Sequence, residues 1–281
     1  MEPVQVLSHE LVLVDWGPTT MTISAWAGGR PRPVMAAQAA RLALHNLAVL
    51  ADFQQYLKRR SWELDPAKDL PPVVAGALAA ARAVDGALTP LAAVAGAGAD
   101  QAAEAAASLG ADRVIVNNGG DIALRLAAGT SARVGLAEPG PADRPLAAAL
   151  SVRPGDGVGG VASSGWQGRS LSAGVADLVS VWAADAATAD AAATWIASGA
   201  VSDDQAVLKR PAATVDPASD LGHRLVTCRV GRLARGPRLK ALGAAMATAR
   251  PLFETGVITG CFIRVQGESA WLDRAGRLEL A

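Results

Sequence analysis

The spacing of apolar and polar positions changes along the chain, and each change marks an element. Residues 11–14 (Leu-Val-Leu-Val) and 21–26 (Met-Thr-Ile-Ser-Ala-Trp) are β-rich runs on either side of Gly17-Pro18-Thr19-Thr20, the pattern of a hairpin or meander. From 33 to 59 the spacing lengthens. Leu42, Leu44, Leu47, Leu50 and Phe53 approximate one face of a long helix. His45 sits in that apolar setting and reads as a core or boundary histidine, since no second histidine lies nearby to complete a ligand pair. Residues 64–72, broken by Pro and Asp, read as a loop, and 73–84 as a second helix. Thr89-Pro90 has the form of a helix start, a cap followed by an N1 proline. The Ala/Gly run behind it admits a very close neighbour, either another backbone or a ligand. Residues 100–109 continue as an Ala-rich helix that Gly110 closes.

The next change is the sharpest. A β-branched run at 114–116 ends in Asn117-Asn118-Gly119-Gly120-Asp121, and an alternating apolar run follows. Asn-Gly between two such runs is the strongest short-range hairpin signal. The same tip combines bare backbone amides with a carboxylate, which suits a phosphate- or sugar-bearing ligand. Further strands are expected at 132–137, 146–152 and 176–183. Between them, 154–174 is crowded with Gly and Ser and reads as a long, polar, functional loop. A helix at 188–198 closed by Gly199, a turn-rich loop at 216–222, a strand at 227–230, a helix at 239–250 and a strand pair at 256–266 and 271–280 complete the chain. Hairpins interleaved with a few long helices predict an α+β fold, antiparallel sheets packed by Ala-rich helices, rather than a βαβ array. The 281 residues are read as a single domain, with room for two lobes around a central cleft.

Composition narrows the function. Half of the chain is apolar, but Ala dominates and there are only 3 Phe and 1 Tyr, so close backbone packing must replace large aromatic cores. Lys+Arg and Asp+Glu both number 26, and a net charge of zero argues against a nucleic-acid partner. The basic residues between Arg229 and Lys240 read as a solvated face. Cys228 and Cys261 lie in apolar stretches without metal-ligand spacing and read as buried free thiols. With no basic start followed by an apolar core, and no run of about 18 consecutive apolar residues, a cytoplasmic protein without a membrane partner is expected.

Four segments could carry chemistry: 89–98, 117–121, 163–172 and 190–194. None contains a P-loop. Gly155-Asp156-Gly157-Val158-Gly159-Gly160 fits G-x-G-x-x-G by letters, but no helix pattern follows it. Three histidines, His9, His45 and His223, and no G-x-S-x-G elbow give a hydrolytic triad little support. Asp190 and Thr194 are one helical turn apart and share a face. Two readings stand for them: Asp190 complements a helix dipole, or carboxylate and hydroxyl form half of a site for a hard cation such as Mg²⁺. Arg169 is either a phosphate partner or a surface arginine.

Taken in order, Thr89-Pro90-Leu91-Ala92-Ala93-Val94-Ala95-Gly96-Ala97, Asn118-Gly119-Gly120-Asp121-Ile122, Ser163-Ser164-Gly165 with Arg169-Ser170-Leu171-Ser172-Ala173-Gly174-Val175-Ala176-Asp177, and Ala189-Asp190-Ala191-Ala192-Ala193-Thr194 resemble the ApbE superfamily. The similarity is greatest to its short, cytoplasmic ApbE-like branch. Residues 216–222 and 256–267 extend the resemblance, which runs from about residue 70 to 267 and is expected to cover the full length. The resemblance implies a flavin-binding α+β fold and Mg²⁺-dependent transfer of FMN from FAD to a Thr or Ser of an acceptor protein. It places the flavin nucleotide, FAD or FMN, near Thr89, Ala93, Asn118, Gly119, Gly120, Asp121, Ser163, Ser164, Gly165, Trp166, Arg169 and Ser172. It assigns the metal to Asp190, Thr194 and the main-chain oxygen of Ala95. Trp166 would be the stacking partner for the flavin ring, with anchoring of its loop as the other reading. Two positions depart from the family pattern. Its Gly-Ile-Ala-Lys-Gly run is Ala93-Val94-Ala95-Gly96-Ala97 here, without the lysine. Its His-x-x-Asp-Pro is Ser170-Leu171-Ser172-Ala173-Gly174, without the histidine. Three functions therefore stay open: FMN transfer, flavin or nucleotide binding by a non-catalytic accessory protein, and an enzyme acting on another phosphate- or acid-bearing metabolite. A homo-oligomer is compatible with all three.

Overall fold

The computed structural model describes residues 2–66, 69–140, 144–168 and 170–281. The chain is α+β and forms two compact units. The first comprises Met1–Val134, Ser151–Ala162 and Trp182–Ala191; the second comprises Gly135–Leu150, Ser163–Val181 and Ala192–Ala281.

In the first unit an antiparallel meander runs in the order Val4–Val6, Val12–Trp16, Thr19–Ala27, Arg113–Asn118, Asp121–Leu126. The alternation seen in the sequence sets which side is buried. Met21, Ile23 and Ala25 lie on the core side, level with Asn118, Val116 and Val114 of the neighbouring strand. Two long helices, Pro33–Asp52 and Val94–Ser108, cover this side. They meet it through alanines: Ala36, Ala39, Ala40 and Ala43 on the first, Ala99, Ala102, Ala103 and Ala106 on the second. Side chains this small let helix axes come near one another and near the sheet. The first helix has the length and apolar composition of a membrane-crossing segment, yet its alanine face is spent on this core.

That face corrects the sequence reading. The leucines at 42, 44, 47 and 50 are only half-buried, and His45 is exposed rather than core. The helix also stops at Asp52, short of 59. Phe53 leaves helical geometry, a short turn Gln54–Leu57 follows, and the Phe53 and Tyr56 rings meet edge to face at 6.1 Å. Thr89-Pro90 starts a 3₁₀ turn, Pro90–Ala93, and the α-helix proper begins at Val94. Gly110 ends it with φ 99°, as a C′ glycine does.

The long glycine-rich segment is not all loop. Gly160–Ser164 is a strand, and within the first unit Gly160 and Val161 pair with Ala123 and Ile122. The glycines there are packing residues. A Cβ on Gly159 would stand 2.2 Å from the Ala184 carbonyl oxygen, and one on Gly160 would stand 2.2 Å from the Ala186 Cα. Gly96, in the first turn of helix Val94–Ser108, is equally confined: a Cβ there would lie 2.2 Å from the Ala186 carbonyl oxygen.

In the second unit, helix Arg235–Glu254 packs on the hairpin Gly260–Val265/Glu268–Asp273. The closing hairpin turns at 266–267 rather than at 267–270, its second strand begins at Glu268 rather than at 271, and Leu278–Leu280 pairs instead with residues 148–150. Gln266, at φ 42°, is the positive-φ residue other than glycine among the described residues. Its amide N–H donates to Asp177, its Oε1 accepts from the Leu233 N–H at 2.9 Å, and its Nε2 donates to the Gly231 carbonyl at 2.7 Å. Leu225–Val230 pairs with Val207–Pro211, a strand the sequence pattern did not suggest. Cys261 is fully buried and its thiol is pushed up to about 12 by that burial, while Cys228 is half-buried.

The 2.2 Å contact at Gly96 predicts that Gly96→Ala destabilises the protein by about 1–3 kcal/mol or more, because backbone must move to admit the methyl group. Gly243→Ala, on an exposed turn of Arg235–Glu254 with nothing within 4 Å of a new Cβ, should be neutral or stabilise by up to about 1 kcal/mol. Urea denaturation of both variants measures the contrast.

Candidate functional site

A helix begins with amides that have no partner inside it. Helix Val94–Ser108 has no capping side chain of its own, since Ala93 occupies the cap position. Its first turn is completed from a distance in sequence: Asp190 Oδ2 accepts the Gly96 N–H at 3.0 Å, and the Ala95 N–H also reaches that carboxylate. Asp190 belongs to helix Ala186–Gly199. That helix is capped locally by Asp185, whose Oδ1 accepts from the Thr188 N–H at 2.7 Å, which is why it starts at Ala186 rather than at 188. It also receives a carboxylate in return. Asp100, on helix Val94–Ser108, accepts the Ala187 N–H at 2.9 Å through Oδ2. Each helix thus supplies an aspartate to the amino end of the other. Asp190 thus lies at the positive end of a helix dipole that belongs to another helix, Val94–Ser108, and not at that of its own.

The hairpin tip lies beside this junction within the same unit. Gly119 and Gly120, at φ 67° and 112°, form the two-residue turn between Asn118 and Asp121, which is the geometry that favours glycine. Its amides are less bare than the sequence suggested, because the Gly120 N–H donates to Asn117 Oδ1 at 2.9 Å. The Asn118 Nδ2 donates to the Ala95 carbonyl at 3.0 Å, tying the tip to the helix start. Asp121 is near enough to Asp190 to repel its charge. Burial first, and that repulsion second, hold the Asp190 carboxyl well above the usual carboxylate range, while the Gly96 and Ala95 N–H groups pull it partly back. Thr89 and Ala93, just upstream of the helix, are buried.

The arrangement is a buried carboxylate, a second carboxylate that destabilises its charge, and a main-chain carbonyl at the same helix start. These are oxygen donors of the kind a hard divalent cation takes. Among the described residues no group of three or more His, Cys, Asp or Glu side chains gathers into a metal site, so a cation here would keep most of its coordination for water or a ligand's phosphates. Thr194 stands one turn beyond Asp190 on the same helix, half-buried, in the part that belongs to the second unit.

The 163–172 segment belongs to the second unit, and much of its side-chain chemistry is used within that unit. Ser163 and Ser180 share a hydrogen bond of 2.8 Å. Gly165 is required for space, since a Cβ would lie 2.6 Å from the Asp177 carbonyl oxygen. Trp166 donates its indole N–H to Asp177 Oδ1 at 3.1 Å, and Ser172 Oγ, buried, accepts from the Gly174 N–H at 3.2 Å. For Trp166 this geometry favours loop anchoring. Ser164 is half-buried, and Arg169 lies outside the described residues.

Sequence reasoning missed Asp100, Arg125 and Asp185. For Asp100 the available signal was an aspartate in the midst of an Ala/Gly helix, Val94–Ser108, where a buried charge needs a partner.

The AbpE bacteria family model matches residues 5–271. The flavin transferase ApbE from Vibrio cholerae has a similar structure, with a TM-score of 0.54 and 13% identity over 97% of this chain and 99% of that one. The apo form of the Pseudomonas stutzeri flavinyl transferase ApbE matches with a TM-score of 0.47 and 15% identity over 97% and 95% of the two chains. No functionally curated protein matches in sequence.

A raised folded-state pKa means that the folded chain holds the Asp190 proton more tightly than the unfolded chain. The associated stability is fully present below the ordinary value of 3.8 and is lost as pH rises through the raised folded value. Asp190→Asn should flatten this decline as pH rises above 3.8, with a residual slope from Asp100, whose carboxyl is also pushed up by burial. Urea midpoints measured across that range test the expectation, and superimposable slopes would count against it.

Proposed function

The chain belongs to the AbpE bacteria family, and from that premise we propose that it binds a flavin nucleotide together with a divalent cation and transfers FMN from FAD to a Thr or Ser of an acceptor protein. The observation that carries the reading is the pair Asp121 and Asp190. A carboxylate held above its usual range first by burial and then by a neighbouring carboxylate is a cost in the free protein, and a cation relieves it. Mg²⁺ bound there would neutralise charge on a pyrophosphate and make its phosphorus easier to attack. Asp190 and the Ala95 carbonyl would hold the ion, with Asp121 beside it. The Asn118 amide fixes the Ala95 carbonyl in place. Gly119 and Gly120 present backbone without side chains, so the sugar-phosphate part of a nucleotide can approach closely. In the transfer, the acceptor hydroxyl forms a bond to the FMN phosphorus as the pyrophosphate bond breaks and AMP leaves. Such a protein would act in the cytoplasm.

A second reading, flavin or nucleotide binding without transfer, is favoured by one observation. The lysine of the family pattern falls at Gly96, where even a Cβ would collide with the Ala186 carbonyl oxygen. Close helix packing occupies the place where that cation would stand. The histidine of the family pattern is likewise replaced, by Ser170.

Thermal unfolding with FAD, FMN and ADP, each with and without Mg²⁺, tests binding. A ligand at 100 times its dissociation constant adds about 2.7 kcal/mol of stability. The expected result is a flavin-dependent shift that grows with Mg²⁺ and shrinks in Asp190→Ala. AMP release with a covalent flavin adduct on an acceptor establishes transfer; binding with FAD left intact selects the second reading. No shift with any flavin points to another phosphate- or acid-bearing metabolite.

A further inference from the structure

Asp100 lies outside every motif that led to the candidate site, yet it connects the pieces of that site. We propose that Asp100 is a positioning residue for the Asp121–Asp190 carboxylate pair, acting through Ala187 and Arg125 without touching a bound ion. The proposal rests on the reading of that pair as a cation site.

The connections are direct. Asp100 Oδ2 accepts the Ala187 N–H at 2.9 Å, which fixes the start of the helix that carries Asp190 one turn later. Asp100 Oδ1 meets the Arg125 Nη2 at 3.2 Å. Arg125 stands four residues along the strand Asp121–Leu126 from Asp121, so the two side chains leave the same face. The guanidinium is held on its other sides by Glu104 Oε2 at 3.2 Å and by the Leu124 carbonyl at 3.0 Å. Asp100 itself is on the helix whose first turn contains Ala95. One carboxylate therefore ties together the three elements that carry Asp190, Asp121 and Ala95.

The packing leaves this tie no slack. Gly96 and Gly160 both abut the backbone at Ala186, so the start of helix Ala186–Gly199 is seated against two backbones that cannot yield to it. Its remaining freedom is to slide or turn away from them. The Asp100–Ala187 bond opposes that motion from one helix, as the Gly96–Asp190 bond opposes it from the other. Loosening Asp100 thus lets Asp190 move relative to Asp121 while every proposed ligand remains in the sequence. Residues that orient ligands in this way are typically worth about 10–100-fold in metal affinity.

The experiment uses the full chain with Mn²⁺ as probe, its affinity read from the electron paramagnetic resonance signal of the free ion. Melting temperatures are measured alongside without metal. Asp100→Asn keeps an acceptor for Ala187 but loses the ion pair with Arg125, and should weaken Mn²⁺ binding by about 10-fold. Asp100→Ala loses both and should approach about 100-fold. A purely structural role would lower the metal-free melting temperature and leave Mn²⁺ affinity unchanged. Wild-type affinity in Asp100→Asn overturns the proposal, whatever Asp100→Ala does. Failure of the wild-type chain to bind Mn²⁺ at all overturns the cation reading of Asp121 and Asp190, and this proposal with it. Retained wild-type binding that weakens in Asp100→Asn supports both.

Discussion

Everything in the first unit leans on an exchange of carboxylates between two helix ends. Helix Val94–Ser108 begins without a cap of its own and receives Asp190; helix Ala186–Gly199 receives Asp100. Isolated buried aspartates are costly, and both are held above their ordinary range by burial. The amides they meet are a compensating partner: unpaired N–H groups that would otherwise be stranded in a dry junction, with the positive end of a helix dipole behind them. Asp100 has a further partner in Arg125, whereas Asp190 has a second carboxylate, Asp121. That asymmetry separates a structural tie from a place where a cation would be stabilised.

The exchange is only possible because the participating backbones nearly touch. Alanine faces on the two long helices, and glycines at 96, 159 and 160, remove the side chains that would keep them apart. The scarcity of aromatic residues in the composition is the same fact seen from the other side. It also gives the missing lysine of the family pattern a physical cause. A side chain at 96 and the present seat of Ala186 exclude one another.

Much of this fold was legible in the sequence because it is local. The hairpin at 117–121 needs only β-branched runs and glycines free to take positive φ, and both occur as expected. The α+β class and the helix after Pro72 follow from spacing alone. What could not be read is non-local. Nothing in the letters around Asp190 shows that it caps a helix 94 residues earlier. The glycines at 159 and 160 look like loop residues until their neighbours are known. The leucines around His45 place it on an apolar face by spacing, whereas alanines do the burying and leave it in solvent. In the candidate site, the segments near residues 95, 120 and 190 are brought together within one unit, and the tie through Asp100 and Arg125 had no motif to announce it. Trp166 and Ser172 carried a motif, but their hydrogen bonds serve their own unit.

The contact between Gly96 and Ala186 also has an inheritance. An interface made of backbone alone does not register which residue faces it, only whether a side chain is present. Drift at 96 is therefore closed to single steps, since each of them adds at least a methyl group. A descendant could admit a basic group at that position only after the start of the second helix had withdrawn, and withdrawal forfeits both exchanged aspartates. Such a lineage is held where it is by geometry, whichever ligand selection has favoured.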